Sequence, residues 1–255
     1  MRSELQIDLV SVVTPLFNSQ DFVRQAIMSV KSQTYTNWEM LIVDDCSTDQ
    51  SNEVVKNLIN GDPRIRILSL RRHSGPAVAR NYAISCSHGR YIAFLDSDDL
   101  WEKEKLEQQI AFMKERKCVF SFTSYKVIDQ NGAYLRSVSS ENKVDYRMML
   151  KKNYIGNSTV MLDAGALGKV FSPLIEKRND YALWLRVLKK TEFALGISEE
   201  LARYRIRPNS VSGKKLRLLH YHYRLFREVE GFSVLTSVLF VIRNVFYKLM
   251  AGTEK

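Results

Sequence analysis

A short run of β-forming residues, Tyr91-Ile92-Ala93-Phe94-Leu95, stops on Asp96-Ser97-Asp98-Asp99, with Leu100-Trp101 and a charged helical pattern beyond. An apolar strand that delivers three carboxylates within four positions belongs inside a sheet, its acids at the carboxyl end. That rim is where an open α/β sheet holds its ligands. Carboxylates so close repel one another unless a cation or a hydrogen-bond network offsets them. A hard divalent ion, Mg²⁺ or Mn²⁺, suits the cluster because it takes oxygen ligands and keeps positions for phosphate oxygens. Asp99 has a second reading: Asp99-x-x-Glu102 at the head of a helical pattern has the form of a capping box. Asp96 and Asp98 have no such alternative.

The same design recurs upstream. Leu9-Val10-Ser11-Val12-Val13 reads as a buried strand stopped by Thr14-Pro15, and residues 21–33 as a helix with Phe22, Ala26, Ile27 and Val30 on one stripe. Met40-Leu41-Ile42-Val43 is a second buried strand, also ending on paired acids, Asp44-Asp45. A helix runs from Ser47-Thr48-Asp49 to about Asn60, Ile65-Arg66-Ile67-Leu68 is a third strand, and Gly75-Pro76 opens another helix with proline in its first turn. Alternation of this kind predicts a doubly wound, mostly parallel, Rossmann-like sheet. Its second and fourth strands then bring acids to one rim. Past Lys117 the pattern loosens to a strand over 119–125, a hairpin turn at Asp129-Gln130-Asn131-Gly132, a short strand at Val160-Met161-Leu162 and a helix over 180–190. Asp180 at the head of that helix has a purely structural reading as a charge favourable to the helix dipole.

A chain of 255 residues with a formal net charge of +10 calls for an anionic partner: nucleic acid, lipid or a phosphorylated substrate. No nucleic-acid reading motif is present, and acids clustered on one rim would repel phosphates without a metal. A nucleotidyltransferase on a similar sheet would carry a glycine-rich basic loop after the first strand, which is missing. No Gly-x-Gly-x-x-Gly follows any strand, which argues against a dehydrogenase. Cys46, Cys86 and Cys118 have neither disulfide nor zinc spacing, and Met1 to Asp8 lacks a secretion pattern, so a reduced, cytoplasmic setting is expected.

Taken in order, Val12-Val13-Thr14-Pro15-Leu16-Phe17-Asn18, Val43-Asp44-Asp45-Cys46-Ser47-Thr48-Asp49, Gly75 through Ala79-Arg80-Asn81, Asp96-Ser97-Asp98-Asp99, Asn179-Asp180 before Leu183-Trp184-Leu185-Arg186, and Tyr204-Arg205-Ile206-Arg207-Pro208-Asn209-Ser210 resemble the family-two inverting glycosyltransferases of GT-A fold over residues 9–212. The carboxyl-terminal region is similar, less specifically, to enzymes of bacterial capsule, teichuronic acid and O-antigen assembly. The resemblance implies a nucleotide-sugar donor, a UDP-sugar, with Pro15 and Phe17 lining the nucleoside pocket and Asp45 accepting from the base. It implies Arg80 beside base or phosphates, Asp96 and Ser97 at the nucleotide, and Asp98 on a Mn²⁺ or Mg²⁺ that bridges the diphosphate. Asp180 would be the general base, and Arg205 and Arg207 phosphate contacts. The acceptor would be a lipid-linked saccharide. Residues 1–117 would form the nucleotide half and 118–212 the acceptor half of one catalytic domain. Four positions depart from the family pattern: Asn179 replaces an often acidic residue before the base, and Cys46 replaces a common glycine, so its turn either avoids positive φ or accepts strain. His73 stands where many relatives have asparagine or another polar residue, and Arg207 replaces a frequent histidine.

The tail, 213–255, is basic. Lys214, Lys215, Arg217, Arg224, Arg227, Arg243, Lys248 and Lys255 against Glu228, Glu230 and Glu254 leave +5, half the excess of the whole chain. Leu235, Val238, Leu239, Ile242, Val245, Phe246 and Leu249 recur at helical spacing, with Ser233, Thr236, Ser237, Arg243, Asn244 and Lys248 opposite. The charge-free run is short of the ~20 residues a spanning helix needs. An interfacial amphipathic helix over 214–250 on anionic lipid is expected, which places the protein at the inner face of the cell membrane. Packing on the catalytic domain or on a twin subunit, a homo-oligomer, is the other reading.

Overall fold

The computed structural model describes residues 5–59, 61–207 and 215–253. The first half runs β1 (Gln6–Leu16), α1 (Val23–Lys31), β2 (Trp38–Asp44), α2 (Ser51–Leu58), β3 (Ile65–Ser69), α3 (Pro76–Cys86) and β4 (Gly89–Phe94). The second continues with β5 (Leu100–Trp101), α4 (Lys105–Glu115), β6 (Phe120–Ile128), β7 (Tyr134–Val138), β8 (Lys143–Asp145), α5 (Tyr146–Lys151), β9 (Met161–Asp163), α6 (Ala164–Leu167), α7 (Asn179–Leu188) and β10 (Phe193–Arg205). Two tail helices follow, α8 (Lys215–Arg224) and α9 (Val234–Thr253), joined through a π-turn at Leu225–Val229.

One sheet carries all ten strands of the described residues. Its order is β3-β2-β1-β4-β9-β6-β10-β5, with β7 on β6 and β8 on β10. Strands β3, β2, β1, β4, β6 and β10 point one way; β9, inserted between β4 and β6, runs against them, as do the short β5, β7 and β8. Strand periodicity of two sends alternate side chains to opposite faces. Val13, Leu41, Val43, Ile92 and Phe94 thus join one core, with α3 and α7. Val10, Val12, Met40, Ile42, Tyr91 and Ala93 join the other, with α1 and α4. On α7 nearly every residue after Asp180 is buried, and Trp184 packs edge-on to Phe94 with ring centroids 5.1 Å apart. That helix is fixed in depth, so its amino end is fixed on the rim.

Two local expectations need correction, and one open choice is decided. β1 does not stop at Thr14-Pro15 but runs to Leu16, because β4 pairs with it only to Val13 and Pro15 has a single neighbour, Val43 on β2. Proline is tolerated where no ladder bond is needed from its nitrogen. Asp99 caps no helix: β5 follows it and α4 begins at Lys105. Glu102, its supposed capping partner, instead accepts both Arg203 donors at 2.8 and 2.9 Å. Cys46 takes the strained option, with φ of +61° and its Sγ 3.3 Å from the Leu70 carbonyl.

Candidate active site

Parallel pairing brings the carboxyl ends of β2 and β4 to either side of β1. Asp45 N–H donates to Leu16 O at 2.9 Å, and Leu95 N–H to Val13 O at 3.1 Å. Asp45 is buried, and its two carboxylate oxygens accept the backbone N–H groups of Ser74 and Gly75, each at 2.7 Å. These amides stand just before α3, where Gly75 takes φ of +89°. His73 Nδ1 lies 3.0 Å from Asp45 Oδ2, and its ring meets Phe17 with centroids 4.3 Å apart. Asp45 therefore anchors the loop that presents His73 beside the exposed Phe17 ring. Pro15, near the end of β1 beside Val43, lies half-buried.

The Asp96-Ser97-Asp98-Asp99 turn is gripped from three directions. Asp96 Oδ1 accepts Asn157 Nδ2 at 2.8 Å and stands 3.5 Å from Arg80 Nη2. Burial, opposed by Arg80 and reinforced by the nearby Asp98 and Asp180 charges, pushes its carboxyl up to about 6. The Ser97 hydroxyl is buried and donates to Ser19 Oγ at 3.0 Å, so it holds the β1 loop rather than standing open to a nucleotide. Ser158 Oγ accepts the Asp96 N–H at 3.1 Å and donates to Asp99 Oδ2 at 2.5 Å. Asp99 Oδ1 takes the Arg205 N–H at 2.9 Å. Burial first, then Asp98 and Asp96, raise the Asp99 carboxyl well above the usual range. Asp99 is a clamp, and only Asp96 and Asp98 remain at the solvent side.

Asp98 Oδ2 pairs with Arg207 Nε at 2.7 Å; burial raises its carboxyl and Arg207 opposes the rise. Arg207 also lies over the Phe22 ring, 5.4 Å from its centroid. Arg205 corrects an expectation. Its buried guanidinium donates to the carbonyls of Asp98, Asp129 and Gln130 and to Gln25 Oε1, the last at 2.6 Å. Each of its nitrogens is committed within the protein, which withdraws Arg205 from the phosphate contacts. Pro208, Asn209 and Ser210 of the last motif lie outside the described residues.

Asp180 arrives from the second half of the chain. A left-handed Arg178, φ +65°, turns the backbone into α7, and Asp180 occupies its first turn. Asn179 is buried and accepts Arg80 Nη1 at 2.5 Å. Among the described residues the Asp180 carboxylate has no hydrogen-bond or ion-pair partner, yet its charge is felt at Asp96. Asp96, Asp98 and Asp180 thus share one rim. Two surface hollows of about 460 and 330 Å³ lie elsewhere, one against Trp101 and Arg203, the other against Arg90 and Asp163.

Among the described residues no group of three or more His, Cys, Asp or Glu side chains is assembled to hold a metal alone. Asp96 and Asp98 nevertheless suit a hard cation. Mg²⁺ and its like are held by one or two carboxylates plus substrate phosphates, and a cationic guanidinium already sits on the Asp98 oxygen. Asn157 and Ser158, which place this pair, stand in a 3₁₀ turn of the loosely patterned region. Their sequence signal is only a small polar tripeptide before an apolar run.

The family model for glycosyl transferase family 2 matches residues 11–228. The putative teichuronic acid biosynthesis glycosyltransferase TuaG of Bacillus subtilis is 44% identical over 223 residues, 87% of this chain and 88% of its own. The UDP-Glc:alpha-D-GlcNAc-diphosphoundecaprenol beta-1,3-glucosyltransferase WfgD of Escherichia coli is 38% identical over 212 residues, 83% of this chain and 82% of its own. Among solved structures, S. aureus TarS 1-349 in complex with UDP superposes with a TM-score of 0.70 at 20% identity, covering 91% of this chain and 69% of that one. The mannosyltransferase PcManGT from Pyrobaculum calidifontis, in complex with GDP-Man and Mn2+, gives 0.68 at 14% identity, covering 91% and 69%. These two share the GT-A fold.

Proposed function

Because the chain belongs to glycosyl transferase family 2, we propose that it is an inverting transferase that moves a sugar from a UDP-sugar to a hydroxyl of a lipid-linked saccharide. The process it serves is bacterial surface polysaccharide synthesis. The observation that carries this reading is the position of Asp180, a carboxylate from a remote helix held at the rim that already bears Asp96 and Asp98. WfgD, by its name, takes UDP-Glc to a diphosphoundecaprenol-linked sugar, and TuaG belongs to teichuronic acid synthesis. The name of WfgD supports a UDP donor and a lipid-linked acceptor here, and that of TuaG a role in surface polysaccharide synthesis.

In this mechanism the base of the nucleotide stacks on Phe17 above Pro15, with His73 at its edge. Asp45 accepts from the base on the oxygen that faces His73. Arg80, buried between Asn179 and Asp96, supplies fixed positive charge beside the diphosphate, and Arg207 turns from Asp98 to the phosphates. Asp98, supported by Asp96, would hold Mn²⁺ or Mg²⁺, which offsets the charge that grows on the leaving diphosphate. Asp180 takes the proton of the acceptor hydroxyl as its oxygen bonds to the anomeric carbon. The bond to the diphosphate oxygen breaks with its electron pair, and UDP leaves. No covalent enzyme intermediate forms. Residues 1–117 bind the nucleotide and 118–212 the acceptor, the protein resting at the cytoplasmic face of the membrane.

Incubation with a panel of UDP-sugars, Mn²⁺ and a short-chain lipid-diphosphate sugar tests the reading. One donor should yield UDP and an extended lipid of inverted anomeric configuration. Failure of every donor to give UDP in the presence of acceptor would overturn it.

A further inference from the structure

α9 is assembled inside out for a helix on a water-soluble surface. Its polar residues face the protein: Ser237 and Asn244 are buried, and Asn244 Nδ2 donates to Leu150 O at 3.1 Å and Phe240 O at 3.0 Å. Val234, Leu235, Val238, Leu239, Ile242 and Phe246 lie 40–71% exposed. At 100° per residue, five of these, from Leu235 to Phe246, fall within an arc of about 100° directly opposite Ser237 and Asn244. A contiguous apolar stripe in water is costly and marks a contact surface.

Charge chooses the occupant. α9 contains Arg243 and Lys248 and no acid, within a tail that carries +5 of the net +10. The 4-3-4 spacing of Leu235, Leu239, Ile242 and Phe246 would also suit pairing with a second copy. Arg243 falls beside the stripe, and a second copy would bring another tail of the same sign, with no carboxylate in α9 to answer it. An anionic surface meets both the stripe and the charge. No described helix is long and apolar enough to cross a membrane, so the contact lies in the interfacial plane.

We propose that the outer face of α9 is a bilayer-docking surface, which inserts Leu235, Val238, Leu239, Ile242 and Phe246 among the acyl chains of an anionic leaflet, with Arg243 at the edge of the stripe toward the phosphates. The docked plate is coupled to the active rim. Tyr181, next to Asp180 on α7, donates to Met149 O on α5, the helix whose Leu150 O takes Asn244 of α9, and packs its ring against His222 and Phe226 at 6.0 and 6.4 Å. Docking thereby fixes α7, and with it Asp180, relative to the leaflet. The purpose of this arrangement rests on the lipid-linked acceptor proposed above; the docking itself does not.

The test uses the full chain and sucrose-loaded vesicles of phosphatidylcholine, alone or mixed roughly 2:1 with phosphatidylglycerol. The wild type should sediment with the mixed vesicles. The triple variant Leu235→Glu, Leu239→Glu, Ile242→Glu should bind at least about tenfold more weakly, while still releasing UDP from its donor in solution. Equal sedimentation of both proteins, or none of the wild type, overturns the proposal. A dimer in sedimentation equilibrium that the triple variant dissolves, without vesicle binding, assigns the face to a second copy instead. If the triple variant misfolds, Leu239→Trp decides: its new indole should be quenched by brominated lipid, since Trp38, Trp101 and Trp184 are buried, and absence of quenching overturns docking. Vesicle binding without any sugar transfer would refute the proposed function and leave the docking face standing.

Discussion

Arg80 on α3 donates from Nη1 to Asn179 Oδ1 at 2.5 Å, across 99 positions of sequence, while its Nη2 stands 3.5 Å from Asp96. One buried guanidinium thus ties the head of α7 to the acid-bearing turn after β4. A planar group with several donors is needed for two partners in different directions. Arg80→Met should cost about 2 kcal/mol in urea unfolding, because it leaves Asn179 Oδ1 without its donor and the partly buried Asp96 carboxylate without its cation. Arg80→Lys keeps the charge but not the fork, and should recover stability only in part.

No hydrogen-bond partner among the described residues depends on Asp180, so the general-base role proposed for it can be tested without disturbing the fold. Asp180→Asn should slow sugar transfer by about 10²–10⁴-fold, the usual contribution of a general base. Calorimetric binding of UDP with Mn²⁺ should stay within about twofold of wild type. A variant that turned over normally would remove Asp180 from the role of base.

The acid turn should trade stability against function, with a sign set by its pH dependence. Asp96 has a folded-state value raised from 3.8 to about 6, so its ionised form is disfavoured by the fold. Below pH 3.8 the group is protonated in both states and has no effect; above about 6 it is ionised in both, and the full penalty applies. Asp96→Asn keeps the Oδ1 acceptor for Asn157, so it should raise Tm at pH 7 and leave it nearly unchanged at pH 4. The same variant should weaken Mn²⁺-dependent UDP binding. A Tm gain equal at both pH values would contradict the assignment.

The parts of this molecule legible in the sequence are those set by near neighbours. Short apolar runs exposed β2, β3 and β4 and the two acidic strand ends, and apolar spacing exposed α7 with Asp180 at its head. Long-range partners decided the rest. Asp99-x-x-Glu102 satisfied the local pattern of a capping box, yet Ser158, Arg205 and Arg203 lie far away in sequence and outcompete it. β10 was invisible because Ser198, Glu199 and Glu200 interrupt its alternation where its register with β6 slips. Arg205 looked like a phosphate ligand because nothing in the sequence indicates that Gln25, Asp98, Asp129 and Gln130 would surround it.

Ser158 offers the sharpest check on that long-range network. Its single hydroxyl serves both neighbours, accepting the Asp96 N–H and donating to the buried Asp99. Ser158→Ala would leave a buried carboxylate with one donor fewer, at a cost of about 1–3 kcal/mol. Because the same hydroxyl fixes the backbone at Asp96, the turn that carries Asp98 should loosen as well. KM for the donor should therefore rise more than kcat falls, and Ser158→Thr, which keeps the hydroxyl, should restore part of both. If Ser158→Ala lowered Tm with donor KM unchanged, the turn would be positioned by Asn157 and Arg205 alone, and the serine would serve only the fold.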